Sequence, residues 1–262
     1  PLFTSALKSS VDVYIAARSK QLLSADLAVS SLRDLTPEEV KTLLEISKAT
    51  KTTHEREFMT MARGKDVSTL VEVRGVEETF PLAGLFQFAD KSTTTSAAPL
   101  STEKIAWVFP EALAQLGVEV GDEIGLGQTK FKIAAVVIDG PGTSRGVGFA
   151  PKIYIGFKFI ETTGLTQYGS QVYHRTYLEL PTGTDTSTVA TTIKDTLADP
   201  DIFLRTPADS MNSMERFFGF YGLYLASVSM IVFALSWVSA FYILQVFLQE
   251  RLKNAGVLMT FG

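Results

Sequence analysis

From Phe217 to Gln249 the chain runs FFGFYGLYLASVSMIVFALSWVSAFYILQVFLQ without one charged side chain. A bilayer hydrocarbon core of about 30 Å is crossed by about 20 apolar helical residues. The stretch therefore predicts a membrane-spanning helix, taken as 215–249, with length to spare beyond one face of the bilayer. Tyr221, Tyr224, Trp237 and Tyr242 are spread along it rather than gathered into two interfacial belts. Gly222, Ala226, Ser229, Ser236 and Ala240 fall at spacings of four, three, seven and four, on one helix face whose seam is interrupted by Phe233. Small residues on one face let a second helix approach closely in lipid, so these five are the candidate helix-packing residues.

Ahead of the span the periods are shorter. Leu7, Val11, Ile15 and Leu22 predict a helix over Leu2–Leu23, and Ala25–Val29 alternates as a strand. Thr36-Pro37-Glu38-Glu39 supplies a cap, a first-turn proline and a glutamate three residues after the cap, opening a helix that ends near Lys48. Glu57–Ala62 and Val67–Arg74 flank Gly64-Lys65-Asp66 as a hairpin. The KSTTTSAA run of Lys91–Ala98 predicts a mobile loop, and Pro110–Leu116 a short helix. Strands at Glu123–Leu126 and Gln128–Ile138 form a meander after the turn at Gly121-Asp122, and DGPGTSRGVG, Asp139–Gly148, reads as a long hairpin tip. Gln171–Leu180 is a strand, Asp185–Leu197 a helix capped by Asp185 or Thr186, and Ile202–Arg205 a last strand, after which Pro207–Arg216 leads to the span. The order is α+β. It predicts one α/β layer split between residues 1–80 and 171–214, with a smaller β-rich unit inserted at 81–170.

Composition narrows the function. The chain has 262 residues and a formal net charge of −4, with a mean hydropathy of +0.18 that the span accounts for. Pro1–Met214 carries 21 Lys and Arg against 26 Asp and Glu, a net −5. With no basic stripe, neither nucleic acid nor an anionic lipid surface is its electrostatic partner. The absence of cysteine excludes disulfides, thiolate metal sites and cysteine nucleophiles. The chain's histidines are His54 and His174, too few for a three-histidine zinc site; no metal and no cofactor is expected. Arg251 and Lys253 after the span against Arg216 before it place the C-terminal side in the cytoplasm and the long N-terminal part outside. The first residues, PLFTSALKSS, have neither a basic n-region nor an apolar h-region, so the chain is expected to be an excerpt of a longer polypeptide.

Candidate chemistry is sparse. No Gly-x-Ser-x-Gly elbow occurs, and the glycine-rich Asp139–Gly148 has neither a phosphate-loop ending nor Gly-x-Gly-x-x-Gly. His174, between Tyr173 and Arg175, has no distinctive nucleophile or orienting acid and reads as structural. His54, in the polar run Lys51–Arg56, is expected at a solvated strand end. Glu38-Glu39 reads as a helix start and Glu77-Glu78 as a solvated loop. These residues argue against an enzyme. A transporter subunit and a membrane-anchored extracytoplasmic sensor or regulator both remain.

Several segments resemble one family. Glu250-Arg251 followed by Gly256-Val257-Leu258 and Phe261-Gly262 is similar to the segment after the second membrane helix of FtsX/MacB-type ABC transporter permeases. Gln21–Leu27 resembles the first strand of that family's periplasmic domain, and Leu116–Ile124 with Phe131-Lys132-Ile133 resembles its inserted β-rich unit. Thr163-Gly164-Leu165, Gly169-Ser170 and Tyr173-His174-Arg175 are similar to a YbbP-like branch. Asn254-Ala255 and Met259 stand where the family often has an acidic residue with Ile and an Arg.

The resemblance implies a periplasmic MacB-like domain, with a split Porter-like α/β layer and an inserted Sabre-like β-rich unit, followed by one transmembrane helix in the inner (cytoplasmic) membrane. It further implies that residues 250–262 are a cytoplasmic coupling segment, with Glu250, Arg251, Asn254, Gly256, Val257 and Leu258 on an ABC ATPase subunit. A second permease copy would pair with the chain. Membrane lipid, and a periplasmic enzyme, lipoprotein or adaptor, would be further partners. The implied activity is ATP-driven mechanotransmission for export or extraction of hydrophobic, lipid-like cargo, with hydrolysis in the separate ATPase. FtsX-like control of cell-wall hydrolases is the regulatory variant.

Overall fold

A computed structural model of the chain describes residues 20–21, 23–141, 150–167 and 169–261, with the side chains of 210–219 and 249–261 outside that description. Most of the helix expected at Leu2–Leu23 and most of the glycine-rich 139–148 tip lie outside the described residues; residues 20, 21 and 23 are helical. The chain divides into two compact units, Pro1–Met211 and Asn212–Gly262.

Among the described residues the first unit has eleven strands, numbered in chain order: β1 Leu27–Ser31, β2 Lys51–Arg63, β3 Ser68–Val76, β4 Phe86–Phe88, β5 Thr93–Thr94, β6 Ile105–Val108, β7 Glu123–Leu126, β8 Thr129–Asp139, β9 Lys152–Gly156, β10 Val172–Glu179 and β11 Ile202–Arg205. Their order is β11-β1-β10-β2-β3-β9-β6-β8-β4-β5, with β7 pairing both β2 and β8. Most pairs are antiparallel, but β3–β9 and β6–β8 are parallel. The helices are α1 Pro37–Ser47, α2 Ala98–Thr102, α3 Pro110–Leu116, α4 Thr186–Leu197 and α5 Pro207–Phe261, with 3₁₀ turns η1 Phe157–Phe159 and η2 Glu161–Thr163.

Local chemistry explains the best-defined elements. Thr36 caps α1 reciprocally: its hydroxyl accepts from the Glu39 N–H at 3.3 Å, and the Glu39 carboxylate accepts from the Thr36 N–H at 2.8 Å. Asp185 caps α4 by accepting from the Ser187 N–H at 3.1 Å. Leu27, Val29, Leu178 and Ile202 of β1, β10 and β11 pack against Leu43 of α1 and Ile193 of α4 in one core.

The second core has a different origin. Because β7 joins β2 to β8, strands β2, β3, β9, β6, β8 and β7 close on themselves. In β8, Phe131 and Ile133 are buried while Lys130 and Lys132 are exposed, the two-residue period of a half-solvated strand. Phe131 and Ile133 meet Phe58, Val73, Ile124 and Ile153 in this core, with Leu116 of α3 beside them. At Gly156 a Cβ would stand 2.1 Å from the Leu100 carbonyl oxygen, so the close approach of α2 to the end of β9 requires glycine. A third core places Phe86 edge-on to both Trp107 and Tyr154, at 5.1 Å between centroids in each case.

The structure corrects three local expectations. The first strand is Leu27–Ser31, two residues beyond Ala25–Val29. His54 is not at a solvated strand end: β2 begins at Lys51, pairs with β10 from Lys51 on and with β3 from Glu55 on, and buries Thr53 and Glu55 within this run. Lys91–Ala98 is held, with β5 inside it and the Ser96 hydroxyl donating to the Glu78 carbonyl at 2.7 Å.

Candidate functional site

Three features could carry function, and the helix α5 is the first. Thr206 and Asp209 open it with a reciprocal cap: the Thr206 N–H donates to the Asp209 carboxylate at 2.9 Å, and the Asp209 N–H to the Thr206 hydroxyl at 3.3 Å. Phe220–Leu248 is long and apolar enough to cross a membrane, with a mean hydropathy of 2.1 and its residues exposed throughout. Gly222, Ala226, Ser229, Ser236 and Ala240 are all exposed. At 3.6 residues per turn they share an arc of about 80°. The Ser236 hydroxyl is turned back onto the Val232 carbonyl at 2.9 Å, satisfying a group that lipid cannot. Glu250, Arg251, Asn254, Gly256, Val257 and Leu258 lie within the helical backbone of α5, and their side chains lie outside the described residues.

The second feature was invisible in the linear sequence. On one face of the sheet, Glu55 and Glu57 of β2, Glu72 and Arg74 of β3, Lys152 and Tyr154 of β9, and Arg175 and Tyr177 of β10 come together through strand register. Glu55 is 1% exposed and Arg74 5%. Arg74 Nε donates to Glu72 at 2.8 Å and Nη2 lies 2.9 Å from Glu57. Arg175 holds Glu57 with both terminal nitrogens, and the Tyr177 hydroxyl donates to Glu55. Among the described residues Glu55 Oε1 accepts no hydrogen bond; the charges of Arg74 and Arg175 stand 3.5 and 3.6 Å away. Three carboxylates thus face three cations in an interior where an unpaired charge is expensive. Burial by itself raises the Glu57 carboxyl, but Arg74 and Arg175 outweigh it and hold it below the usual carboxylate range. Burial, with Arg74 nearby, lowers the Lys152 ammonium.

The third feature lies on the opposite face. His54 and Arg56 of β2 stand against Thr176 and His174 of β10. His54 Nδ1 is 3.1 Å from the Thr176 hydroxyl, and the Glu77 carboxylate accepts from the His54 N–H at 2.9 Å. Glu77 is therefore a strand clamp rather than part of a solvated loop, and His54 is half-buried. His174 Nδ1 lies 2.6 Å from Asp34 Oδ1. Burial lowers the His174 imidazole below its ordinary 6.5; Asp34 opposes the shift and Arg56 adds to it. The fold prefers the neutral ring, so the unfolded chain takes up this proton first as pH falls. His174 therefore leaves stability intact above about pH 6.5 and erodes it below. Urea midpoints from pH 8 to 5 should decline less for His174→Gln than for the parent, and equal slopes would contradict this. Among the described residues no group of three or more His, Asp or Glu side chains is arranged to hold a metal.

The sequence matches the MacB-like periplasmic core domain over residues 2–196. The chain belongs to that family. Escherichia coli (strain K12) has a relative, described as an uncharacterized ABC transporter permease YbbP, that is 25% identical over 166 residues. The match covers 62% of this chain but 19% of that relative. The periplasmic region of MacB from Actinobacillus actinomycetemcomitans superposes with a TM-score of 0.50 at 13% identity, covering 75% of this chain and 95% of that one. The extracellular domain of the noncanonic ABC-type transporter YknZ from Gram-positive bacteria gives 0.46 at 12% identity, over 69% and 99% of the two chains. The MacB-like domain is thus a mixed α/β, sheet-rich fold, and this chain joins it to a C-terminal helix of membrane-spanning length and composition.

Proposed function

We propose that the chain is part of the permease subunit of an ABC transporter, with the MacB-like domain outside the cytoplasmic membrane and the 250–262 segment inside. The observation that carries this reading is α5. In a chain of this family, the helix runs from a reciprocal cap at Thr206 through an uncharged stretch and on past Leu258. A helix that long is about 80 Å from end to end and transmits displacement without folding back. ATP-driven closure of two ATPase subunits would press on Glu250, Arg251, Asn254, Gly256, Val257 and Leu258, and the helix would carry the push to the outer domain. The small-residue face from Gly222 to Ala240 would seat a second membrane helix, from a second permease copy or from the same polypeptide. Within the outer domain we keep 1–80 with 171–214 as the Porter-like layer and 81–170 as the Sabre-like unit. Hydrophobic or lipid-like cargo suits a pump that works from within the bilayer. Catalysis would reside in the ATPase.

The test is a flexible glycine-rich insertion at Arg216 in the assembled transporter. ATP hydrolysis should persist while nucleotide-driven motion of a fluorophore at the exposed Val120 disappears. Unchanged motion would contradict transmission through the helix.

A further inference from the structure

The opposite-face cluster goes beyond the permease reading and rests on the outer domain alone. Its floor is closed: Ser31, paired with His174 across β1 and β10, is 2% exposed and Thr176 8%. Its basic groups are recessed, with the side chains of Arg56 and His174 at 17% and 19% exposure. Its acids sit at the rim. Asp34, in the segment between β1 and α1, is 68% exposed, and Glu161 of η2 is 81% exposed. A recessed cation whose counter-ions are all at the solvent edge is arranged to exchange them.

The guanidinium of Arg56 is under-used. Nη2 alone donates to both Asp34 oxygens, at 3.3 and 3.2 Å, an end-on contact. Nη1 stands 3.8 Å from Glu161, too far for a hydrogen bond. Nε is buried and has no hydrogen-bond partner among the described residues. The Phe157 ring, 5.0 Å below the guanidinium carbon, fixes its plane. A carboxylate spanning Nη1 and Nη2 would gain the two parallel bonds of a fork, which Asp34 lacks, and could accept a third from His174 Nδ1–H. Asp34 is 68% exposed, so an incoming carboxylate can reach the site and displace it. Its backbone need not move, because Arg33 ties the segment to Glu39 at 2.8 Å and to Asp199.

We propose that Arg56 and His174 form a receptor for one carboxylate presented by an acidic segment of a partner protein, and that Asp34 is the intramolecular occupant this carboxylate displaces. A single carboxylate is favoured over a phosphate because, among the described residues, Arg56 is the fixed cation paired with the Asp34 carboxylate. His174 is neutral, and Glu161 across the rim would repel a dianion. The net −4 of the chain also disfavours an anionic membrane. Asp34 itself demonstrates the fit of a side-chain carboxylate carried on non-helical backbone.

The chain's two histidines make the test direct. With ring-13C histidine, the full chain in detergent gives two imidazole signals, assigned through His54→Gln. The probes are N-acetyl-aspartyl amide, which carries one carboxylate, and methyl phosphate. In Asp34→Asn the His174 signal should shift saturably with the aspartyl probe. Half-saturation should fall at least about tenfold below that of the parent chain, where Asp34 competes. Arg56→Gln in that background should abolish saturation, and His54→Gln should leave it unchanged. Arg56→Lys, which keeps the charge without the fork, provides a second variant should Arg56→Gln fail to fold. It should weaken binding at least about tenfold. Linear, unsaturable shifts in Asp34→Asn, or binding that survives loss of Arg56, would overturn the receptor. Stronger binding of methyl phosphate than of the aspartyl probe would overturn the assignment to a carboxylate-bearing partner.

Discussion

Arg74→Met should lower the unfolding free energy of the outer domain by about 3–5 kcal/mol. Arg74 is 5% exposed and is the common partner of Glu55, Glu57 and Glu72. Methionine fills much of the volume but leaves three buried carboxylates facing Arg175 and Lys152 alone. Domains are stable by about 5–15 kcal/mol, so the loss is a large fraction of the total. Urea unfolding followed by Trp107 fluorescence would measure it in a Trp237→Phe background, where Trp107 is the single indole. Trp107 is 4% exposed against Phe86 and Phe88, and its emission should redden on unfolding. Adding Glu55→Gln should recover part of the loss, because the two sites share one network. A destabilisation below about 1 kcal/mol would mean that the charges are solvated in the folded state.

The second large effect concerns the span. Val232→Asp with Phe233→Asp places two carboxylates near the centre of Phe220–Leu248. Each aspartate at a membrane helix centre disfavours insertion by about 2.5–3.5 kcal/mol, so the pair opposes it by roughly 6 kcal/mol. Alkaline carbonate extraction should then release the double variant while the parent stays in the membrane pellet. Phe203→Asp, on the exposed face of β11, should extract like the parent. Equal retention of the double variant would contradict a lipid-embedded helix.

Residues whose reasons are local were legible in the sequence. The Thr36–Glu39 cap, the cap at Asp185, one of two candidates with Thr186, and the meander strand of Gln128–Ile138 act within a few positions, and the structure has them where the pattern put them. The strands β6 and β9 were not legible, because IAWV and KIYIG are mostly buried on both faces and show no period. The charge network was hidden for another reason. Lys51–Arg56 is polar and reads as solvated, yet Arg175, paired with Glu57 across 118 residues, also stands 3.6 Å from Glu55 and helps to compensate its burial. The same distance in sequence hid the recess of Arg56 and His174. The one available signal was that both histidines lie in strands with polar neighbours at alternate positions. The span was the clearest reading, since it follows from length and charge alone.

Co-purification tests the central claim most directly. The full-length native polypeptide would be tagged, solubilised gently and examined by mass spectrometry for stoichiometric partners. The permease reading predicts a nucleotide-binding ATPase that is lost with Arg251→Glu and Leu258→Asp, while the domain's urea midpoint is unchanged. A chain that purifies alone, or with a kinase or cell-wall hydrolase in place of an ATPase, would contradict it and leave a membrane-anchored sensor or regulator.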